Sequence, residues 1–482
     1  MPMWLERDRE RKLTLLCGAI VAGALIAACA GLLELALGTR LAGTLHLFRD
    51  KPTVAGGYLR LSGTFPYANV AAMYFELALP FSLVGLAHAV RRAPRRPAET
   101  LLWLLAADAL LAATFLTFSR GAWLGLGIGS LAVLLAVGRR LEGRGWINHL
   151  RRHRRLVALG CLNLAVVGVS VLLPSHSLLL LRLTSQSDQE WYRASYTVRV
   201  PATLPARSQL HLPVTVQNLG PLTWTNAGPN RYTLSYHWLL PSGKFAVFDG
   251  LRSRLPTSVA PDGRQAVSAL LQTPCAPGRY LLVWDMSQEG VTWFSLKSAV
   301  YRRIPVQIAA PPGRQTNLCA GGPVVSSAVS LPATVAEPGR PQLWGAALAM
   351  VRRHPLLGVG PDGFRLSYGA YFTPPLQSWD QRILANSLPL ELLADVGMLG
   401  AGLFALFLAL IVWPLIAPLP AGRAPSLWAI ALIGALAAFV GHGLVDYMLE
   451  NHAIFILFWI MCGLAGSLAA HDTERLSYAD RH

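Results

Sequence analysis

Charge is what this 482-residue sequence has least of. Only 14% of the residues are charged against 53% hydrophobic, a balance that excludes an ordinary soluble globular protein. Lysine is nearly missing, occurring at Lys12, Lys51, Lys244 and Lys297 only, so arginine carries the net charge of +17. Those arginines fall in short runs beside long apolar stretches, which is the signature of membrane topology rather than of a nucleic-acid-binding face. The six cysteines are too few for a disulfide scaffold, and Cys17, Cys29, Cys161 and Cys462 lie in apolar sequence as small packing residues. No pair has zinc-site spacing, no Cys-x-x-Cys occurs, and no phosphate-binding glycine loop leads into a helix. Metal, nucleotide and redox chemistry have no foothold, and no cofactor is expected.

What is present is hydrocarbon. Crossing about 30 Å of bilayer takes roughly 17 to 25 apolar residues. Runs of that kind lie near 13–37, 68–90, 99–118, 121–138, 155–174, 389–416, 425–446 and 452–470. They predict a polytopic α-helical membrane protein of about eight transmembrane helices. The basic flanks are the N-terminus (Arg7, Arg9, Arg11, Lys12), the loop Arg91 to Arg96 and the loop Arg139 to Arg155. An even number of helices separates each pair, so the positive-inside rule places all three in the cytoplasm, together with Arg423 and the C-terminal tail. The expected location is a bacterial cytoplasmic (inner) membrane, with both termini inside. Ile26-Ala27-Ala28-Cys29 resembles a lipoprotein cleavage box, but the apolar run continues to Leu37, longer than a signal-peptide core.

Between 175 and 388 the pattern changes to strand alternation. Leu210, Leu212, Val214 and Val216 alternate with polar or small residues, as do Tyr232, Leu234, Tyr236 and Trp238, and Tyr280, Leu282, Trp284 and Met286. Short strands separated by turns such as Pro261-Asp262-Gly263 predict an immunoglobulin-like β-sandwich over 194–309, extracytoplasmic by the helix count. The chain thus divides into helices one to five (1–174), the sandwich (194–309), a Pro/Ala/Gly/Ser-rich linker (310–339), an outer segment (340–388), and helices six to eight with the tail (389–482). Cys275 and Cys319 could form a disulfide in an oxidising envelope or remain a free pair. Trp224, Trp238, Trp284 and Trp293 sit at strand-alternation spacing, which fits a core better than a sugar-stacking face.

Unusual polar residues converge on the outer face: Arg60 with Asn69 before helix two, Ser119-Arg120-Gly121 between helices three and four, the segment Arg340 to Asn386, and Asp446 with Glu450. Arg120 lies in a hairpin so tight that its guanidinium sits near membrane depth, where an unpaired charge is costly; an anion should meet it, or it snorkels to lipid phosphates. Glu76 and Asp108, inside helices, are candidates to pair with an arginine. His354, in His-Pro ahead of Gly358-x-Gly360, reads as a turn residue more readily than as a base.

Four blocks carry a family resemblance: Arg60-x-Ser62-Gly63-Thr64-Phe65-x-x-x-Asn69; Ser119-Arg120-Gly121; Arg340-x-x-x-Trp344 running into His354-Pro355-Leu356-x-Gly358-Val359-Gly360; and Asn386-Ser387 followed by Gly397 and Gly400. Their order and spacing over 55–138 and 340–470 resemble the bacterial O-antigen ligase and O-antigen polymerase family. Asn218-x-Gly220-x-x-x-Trp224 and Gly290-Val291-x-Trp293-Phe294 resemble immunoglobulin-like domains of envelope proteins. The resemblance implies a metal-free glycosyltransferase that moves a glycan from an undecaprenyl diphosphate carrier in the lipid bilayer to an acceptor glycan or lipid. It implies that arginines bind the diphosphate, namely Arg120, Arg340 and Arg60, with Arg365 and Arg382 as lesser candidates. Arg340 and Asn386 are then the expected catalytic residues.

Two departures qualify the transfer. The family's ligases carry a histidine where this sequence has Asn386, and an amide cannot accept a proton as imidazole does. Either Asn386 orients the acceptor, or a carboxylate such as Asp380, Glu391 or Asp395 takes the proton, or the protein is no ligase. Family members also carry several more helices before Gly63, so the chain could be a truncated frame or half of a split protein, completed by another membrane subunit. The rival reading is a non-catalytic member that binds or guides envelope polysaccharide.

Overall fold

A computed structural model of the chain describes residues 9–49, 52–56, 58–92, 96–140, 154–173, 176–185, 190–228, 230–297, 302–310, 338–371, 383–417 and 426–479. Nearly all of the expected linker, most of the loop Arg139 to Arg155, and Cys319, Asp380, Arg382 and Arg423 lie outside the described residues.

The longer helices ahead of the main strands are, among the described residues, α1 (Arg9–Leu37), α2 (Ala68–Arg92), α3 (Pro97–Leu116), α4 (Arg120–Arg140), α5 (Arg154–Leu172) and α6 (His176–Thr184). Among the described residues five helices are long and apolar enough to cross a membrane: Arg11–Leu37, Ala68–Val90, Pro97–Leu116, Arg120–Gly138 and Leu388–Ile416. Shorter apolar helices lie at Cys161–Val171, Leu427–Gly443 and His452–Leu468. Their exposed leucines and valines, such as Leu101, Leu102, Leu134 and Leu135 on α3 and α4, face outward as a lipid-facing surface would.

Ten strands follow: β1 (Ala194–Val198), β2 (Thr203–Pro205), β3 (Gln209–Asn218), β4 (Tyr232–Leu239), β5 (Phe245–Val247), β6 (Ser253–Arg254), β7 (Arg264–Gln272), β8 (Gly278–Gln288), β9 (Thr292–Trp293) and β10 (Arg303–Ala309). One sheet runs β2-β10-β8-β4-β5, with β9 paired to β8 and β6 to β4; the other runs β1-β3-β7. The pairings are antiparallel except β10 with β2. One core fills the space between them, built on Trp224, Trp238, Tyr236, Trp284 and Val214. These tryptophans are buried, Trp224 and Trp238 fully, whereas Trp293 is half-buried beneath the Arg252 guanidinium, 4.3 Å from its ring centroid. Strand β4 departs from simple alternation, because all eight of its residues are buried. Its second face, with Ser235 and His237, is covered by Gly250 and Phe248 of the following loop. Cys275 is disulfide-bonded.

This core extends upstream of Ala194. Trp191 donates its indole N–H to Ser185 at 2.6 Å; Tyr192 donates to Gln288 at 3.0 Å and packs edge-on against Phe294, 5.3 Å between centroids. A fragment spanning 190–309 should therefore melt at least ~10 °C above one spanning 194–309, since truncating a large buried aromatic costs ~3–5 kcal/mol and each kcal/mol moves a small domain's Tm by ~4–8 °C. Thermal unfolding followed by tryptophan fluorescence reads the difference, and equal midpoints would separate the two aromatics from this core.

After the strands come α7 (Arg340–Arg353), the short α8 (Gly363–Ser367), α9 (Leu388–Ile416), α10 (Leu427–Gly443) and α11 (His452–Ala479). Helix α10 is buried nearly all round, which accounts for the absence of any polar face in its sequence. It packs chiefly on α4, across Gly125 and Gly129. A Cβ on Gly129 would stand 2.8 Å from the Gly434 carbonyl oxygen, and one on Gly125 2.9 Å from that of Ala438. Small residues four apart let two membrane-length helices approach this closely.

Helix α9 is broken at Gly397, whose φ of 65° and ψ of −170° no other residue adopts without strain. The loop His354 to Gly360 fills the break. Val359 and Gly360 donate to the Ala394 and Asp395 carbonyls at 2.8 and 2.9 Å, while Met398 and Leu399 donate to Pro355 and Leu356 at 2.8 and 3.1 Å. Peptide groups freed by the kink are thereby bonded again, as a broken helix in an apolar setting requires. Gly358 is needed at the same contact, for a Cβ there would lie 2.5 Å from the Ala394 and Asp395 carbonyls. The motif His354-Pro355-Leu356-x-Gly358-Val359-Gly360 is thus a plug for the kink, and His354 is exposed at its edge.

Candidate functional site

Glu76 and Asp108, inside the helices, are paired, though with partners other than the arginines expected from the sequence. Glu76 of α2 meets Nδ1 of His442 on α10 at 2.7 Å, and Asp108 of α3 accepts from Asn163 of α5 at 2.8 Å. Glu34 of α1 pairs with Arg49, both side chains 3% exposed, and Arg49 also donates to Ser62. The Glu76–His442 pair has room because α4 carries glycine opposite it. A Cβ on Gly121 would collide with the imidazole, and one on Gly125 would stand 2.8 Å from Glu76 Oε2.

From His442 the polar groups continue to one end of the helices. Its Nε2 lies 3.5 Å from the Ser119 hydroxyl and 3.7 Å from Asp446 Oδ2. Asp446 is the hub. Its Oδ2 accepts from Asn69 Nδ2 at 2.8 Å and faces Arg340 Nη2 at 3.6 Å, and its backbone carbonyl accepts from the Leu388 amide at 3.1 Å. Asn69 in turn accepts from Arg60 Nη2 at 2.7 Å, and Arg60 Nε donates to the Thr117 carbonyl at 2.7 Å. Residues from the loop before α2, the α3–α4 turn, α7, the start of α9 and the α10–α11 loop are thereby drawn to one place.

Arginine accumulates there. Arg60 is buried, and burial lowers its affinity for a proton, with Arg182 and Arg120 pushing the same way against Asp446. Arg120 donates to the Ser185 carbonyl at 2.9 Å and lies within electrostatic reach of Arg340 and Glu190. Arg182, on α6, donates to the Phe118 carbonyl at 3.2 Å. Four guanidiniums, Arg60, Arg120, Arg182 and Arg340, are thus linked to two carboxylates, Asp446 and Glu190, while Glu76 and His442 form a pair of their own. Guanidiniums outnumber carboxylates among these linked groups, even with Glu450, which also lies within electrostatic reach of Asp446. Such a site favours an anionic ligand, and guanidiniums present donors suited to phosphate oxygens.

The residues singled out from sequence divide accordingly. Arg120 and Arg340 stand in the cluster, Arg340 with its side chain 30% exposed. Arg60 is there too, but Nε and Nη2 are spent on internal bonds. Asn386, half-buried with φ 51°, lies two residues before the Leu388 amide that binds the Asp446 loop. Arg365 is a surface residue paired with Asp362 through Nε at 2.5 Å. Of the proposed carboxylate bases, Glu391 is 2% exposed and accepts from the Ala385 amide at 2.5 Å, while Asp395 accepts from the Asp362 and Phe364 amides at 3.1 and 2.7 Å. Both are committed to shaping the start of α9 and α8.

Sequence reading missed Arg182 and His442. A histidine between Gly441 and Gly443 in an apolar helix was a usable signal, since an ionisable group at that depth needs a partner. Arg182 follows a run of four leucines in a short helix and carried no motif. No protein-family profile matches the chain, and no curated protein does. Among solved structures, the CARDB domain of the PF1109 protein from Pyrococcus furiosus, in complex with di-metal ions, aligns over 24% of this chain and 88% of its own at 13% identity and a TM-score of 0.17. The alkylpurine DNA glycosylase AlkC of Pseudomonas fluorescens, bound to DNA containing an abasic site analog, aligns over 64% of this chain and 83% of its own at 13% identity and a TM-score of 0.16. Likenesses this slight establish neither a shared fold nor a shared activity.

Proposed function

We propose that this chain is a membrane glycosyltransferase of the O-antigen ligase and polymerase class. It transfers a glycan from an undecaprenyl diphosphate carrier to an acceptor glycan or lipid at the outer face of a bacterial cytoplasmic membrane. The observation that carries the reading is the arginine cluster around Asp446, where Arg120 and Arg340 come together from positions 220 residues apart in the sequence. A polyprenyl diphosphate leaving group bears its charge at the bilayer surface and needs fixed cations there while the glycosidic bond to phosphate breaks. Arg120 and Arg340 hold the diphosphate, Arg60 and Arg182 add to the field, and Asn386 orients the acceptor.

In this reading the five membrane-length helices and the three shorter ones make about eight spans, with both termini cytoplasmic and the strands of 194–309 an extracytoplasmic immunoglobulin-like sandwich. A periplasm-dependent reporter should be active when fused at Gly243 and silent after Arg144; the reverse pattern would remove the shared outer face. Activity is tested by supplying the purified protein with an undecaprenyl diphosphate-linked glycan and an acceptor and measuring the free undecaprenyl diphosphate formed. Its release with acceptor present supports the enzyme. Binding without release would favour a non-catalytic protein that guides envelope polysaccharide, a reading to which Asn386 in place of the family's histidine lends weight.

A further inference from the structure

We propose that Asp446 is the proton acceptor for the transfer reaction, taking the place of the histidine that this sequence lacks at Asn386. The inference rests on the glycosyltransferase reading. In the step, the acceptor hydroxyl oxygen forms a bond to the anomeric carbon of the glycan, and the bond from that carbon to the diphosphate oxygen breaks. Undecaprenyl diphosphate leaves with the bonding pair. The hydroxyl proton goes to the Asp446 carboxylate.

Position comes first. Asp446 is the carboxylate placed against Arg340, 3.6 Å away, so a glycosyl diphosphate held by Arg120 and Arg340 brings its anomeric carbon to this side chain's surroundings. Glu391 and Asp395, the nearer candidates by sequence, are occupied by backbone amides, whereas the described hydrogen bond to Asp446 Oδ2 comes from one neutral amide, Asn69. A carboxylate held on one side by an amide and set beside a part-exposed guanidinium is fixed in orientation.

Behind it stands a buried histidine that helps to position it. His442 Nε2 lies 3.7 Å from Asp446 Oδ2, and Nδ1 of the same ring bonds Glu76 at 2.7 Å. Glu76 thus holds the ring in place beside Asp446. The charged or titratable groups around Asp446 are Arg60 and Tyr67 from the loop before α2, Glu76 within α2, Arg340 of α7, His442 of α10 and Glu450 of its own loop. Tyr67 and Glu450 are joined by their own hydrogen bond at 3.0 Å.

Asp446→Asn preserves the side chain's shape and an oxygen for Asn69 while abolishing the base. In the full-length protein, kcat should fall about a hundredfold or more, within the range for loss of a general base. Binding of undecaprenyl diphosphate should be unchanged or tighter, because a negative charge has left the arginine cluster. Asp446→Glu should recover part of the rate, since it restores a carboxylate at the same place. Activity within threefold of the parent, or loss of diphosphate binding in parallel with rate, would overturn the assignment, the second result marking Asp446 as a structural counter-ion. A parent that binds the carrier but releases none with any acceptor would instead overturn the glycosyltransferase reading itself.

Discussion

Arg340→Ala and Arg120→Ala should each lower glycan transfer by at least tenfold and together by a hundredfold or more. A hydrogen bond to a charged group is worth ~1.5–3 kcal/mol, and ~1.36 kcal/mol is one decade in rate. Lysine at either position should restore only part of the activity, because it keeps the charge but loses the planar fork. Arg340 also faces Asp446 at 3.6 Å, so Arg340→Ala leaves a nine-tenths buried carboxylate without that neighbour. Its membrane abundance must therefore be matched to the parent before rates are compared. Arg365→Ala supplies the contrast, since its guanidinium is bonded to Asp362 at the surface and its loss should leave transfer within twofold. Unchanged transfer in both cluster variants would place the diphosphate site elsewhere.

Gly397→Ala should be the most damaging small substitution in the helical part. Its backbone sits where only glycine is at ease, a strain of ~1–3 kcal/mol for any other residue, and the new methyl would collide with the Leu356 backbone. Displacing the loop would break the four hydrogen bonds that seal the kink and shift the start of α9, where Asn386 and the Leu388 contact to Asp446 lie. Abundance of folded protein and thermal stability in detergent should both drop sharply. Gly402→Ala, five residues on in the same helix and with open space around it, should be neutral or slightly stabilising. Equal stability of the two variants would contradict the description of the kink.

The contrast between these glycines shows where the sequence was legible. Apolar runs mark most helices, because lipid-length burial needs little else, and strands such as Leu210 to Val216 alternate because one face looks inward and the other outward. The stretch 389–416 gave one uninterrupted run, yet α9 is broken inside it, since a backbone break leaves hydropathy untouched and shows only as Gly397. Strand β4 alternates in sequence but is buried on both faces, for Phe248 and Gly250 fold back over its second face, a cover that alternation within the strand does not announce. In the site, arginines stood out because charge in an apolar setting demands a reason. Asp446 and Glu76 stood out too, but their meeting through His442 did not, because the three come from two helices and a loop whose approach depends on the glycines of α4. That Asp395 and Glu391 hold backbone amides was not legible either, because those amides belong to loops that only the fold brings against α9.

The most direct test of the account is equilibrium binding of undecaprenyl diphosphate and undecaprenyl monophosphate to the purified full-length protein in lipid nanodiscs. An excess of guanidiniums over carboxylates predicts a clear preference for the diphosphate, by at least about tenfold, reduced in Arg120→Ala and in Arg340→Ala and retained in Arg365→Ala. Equal affinity for the two lipids, or a preference that survives both cluster substitutions, would contradict the assignment of this arginine cluster as the carrier site.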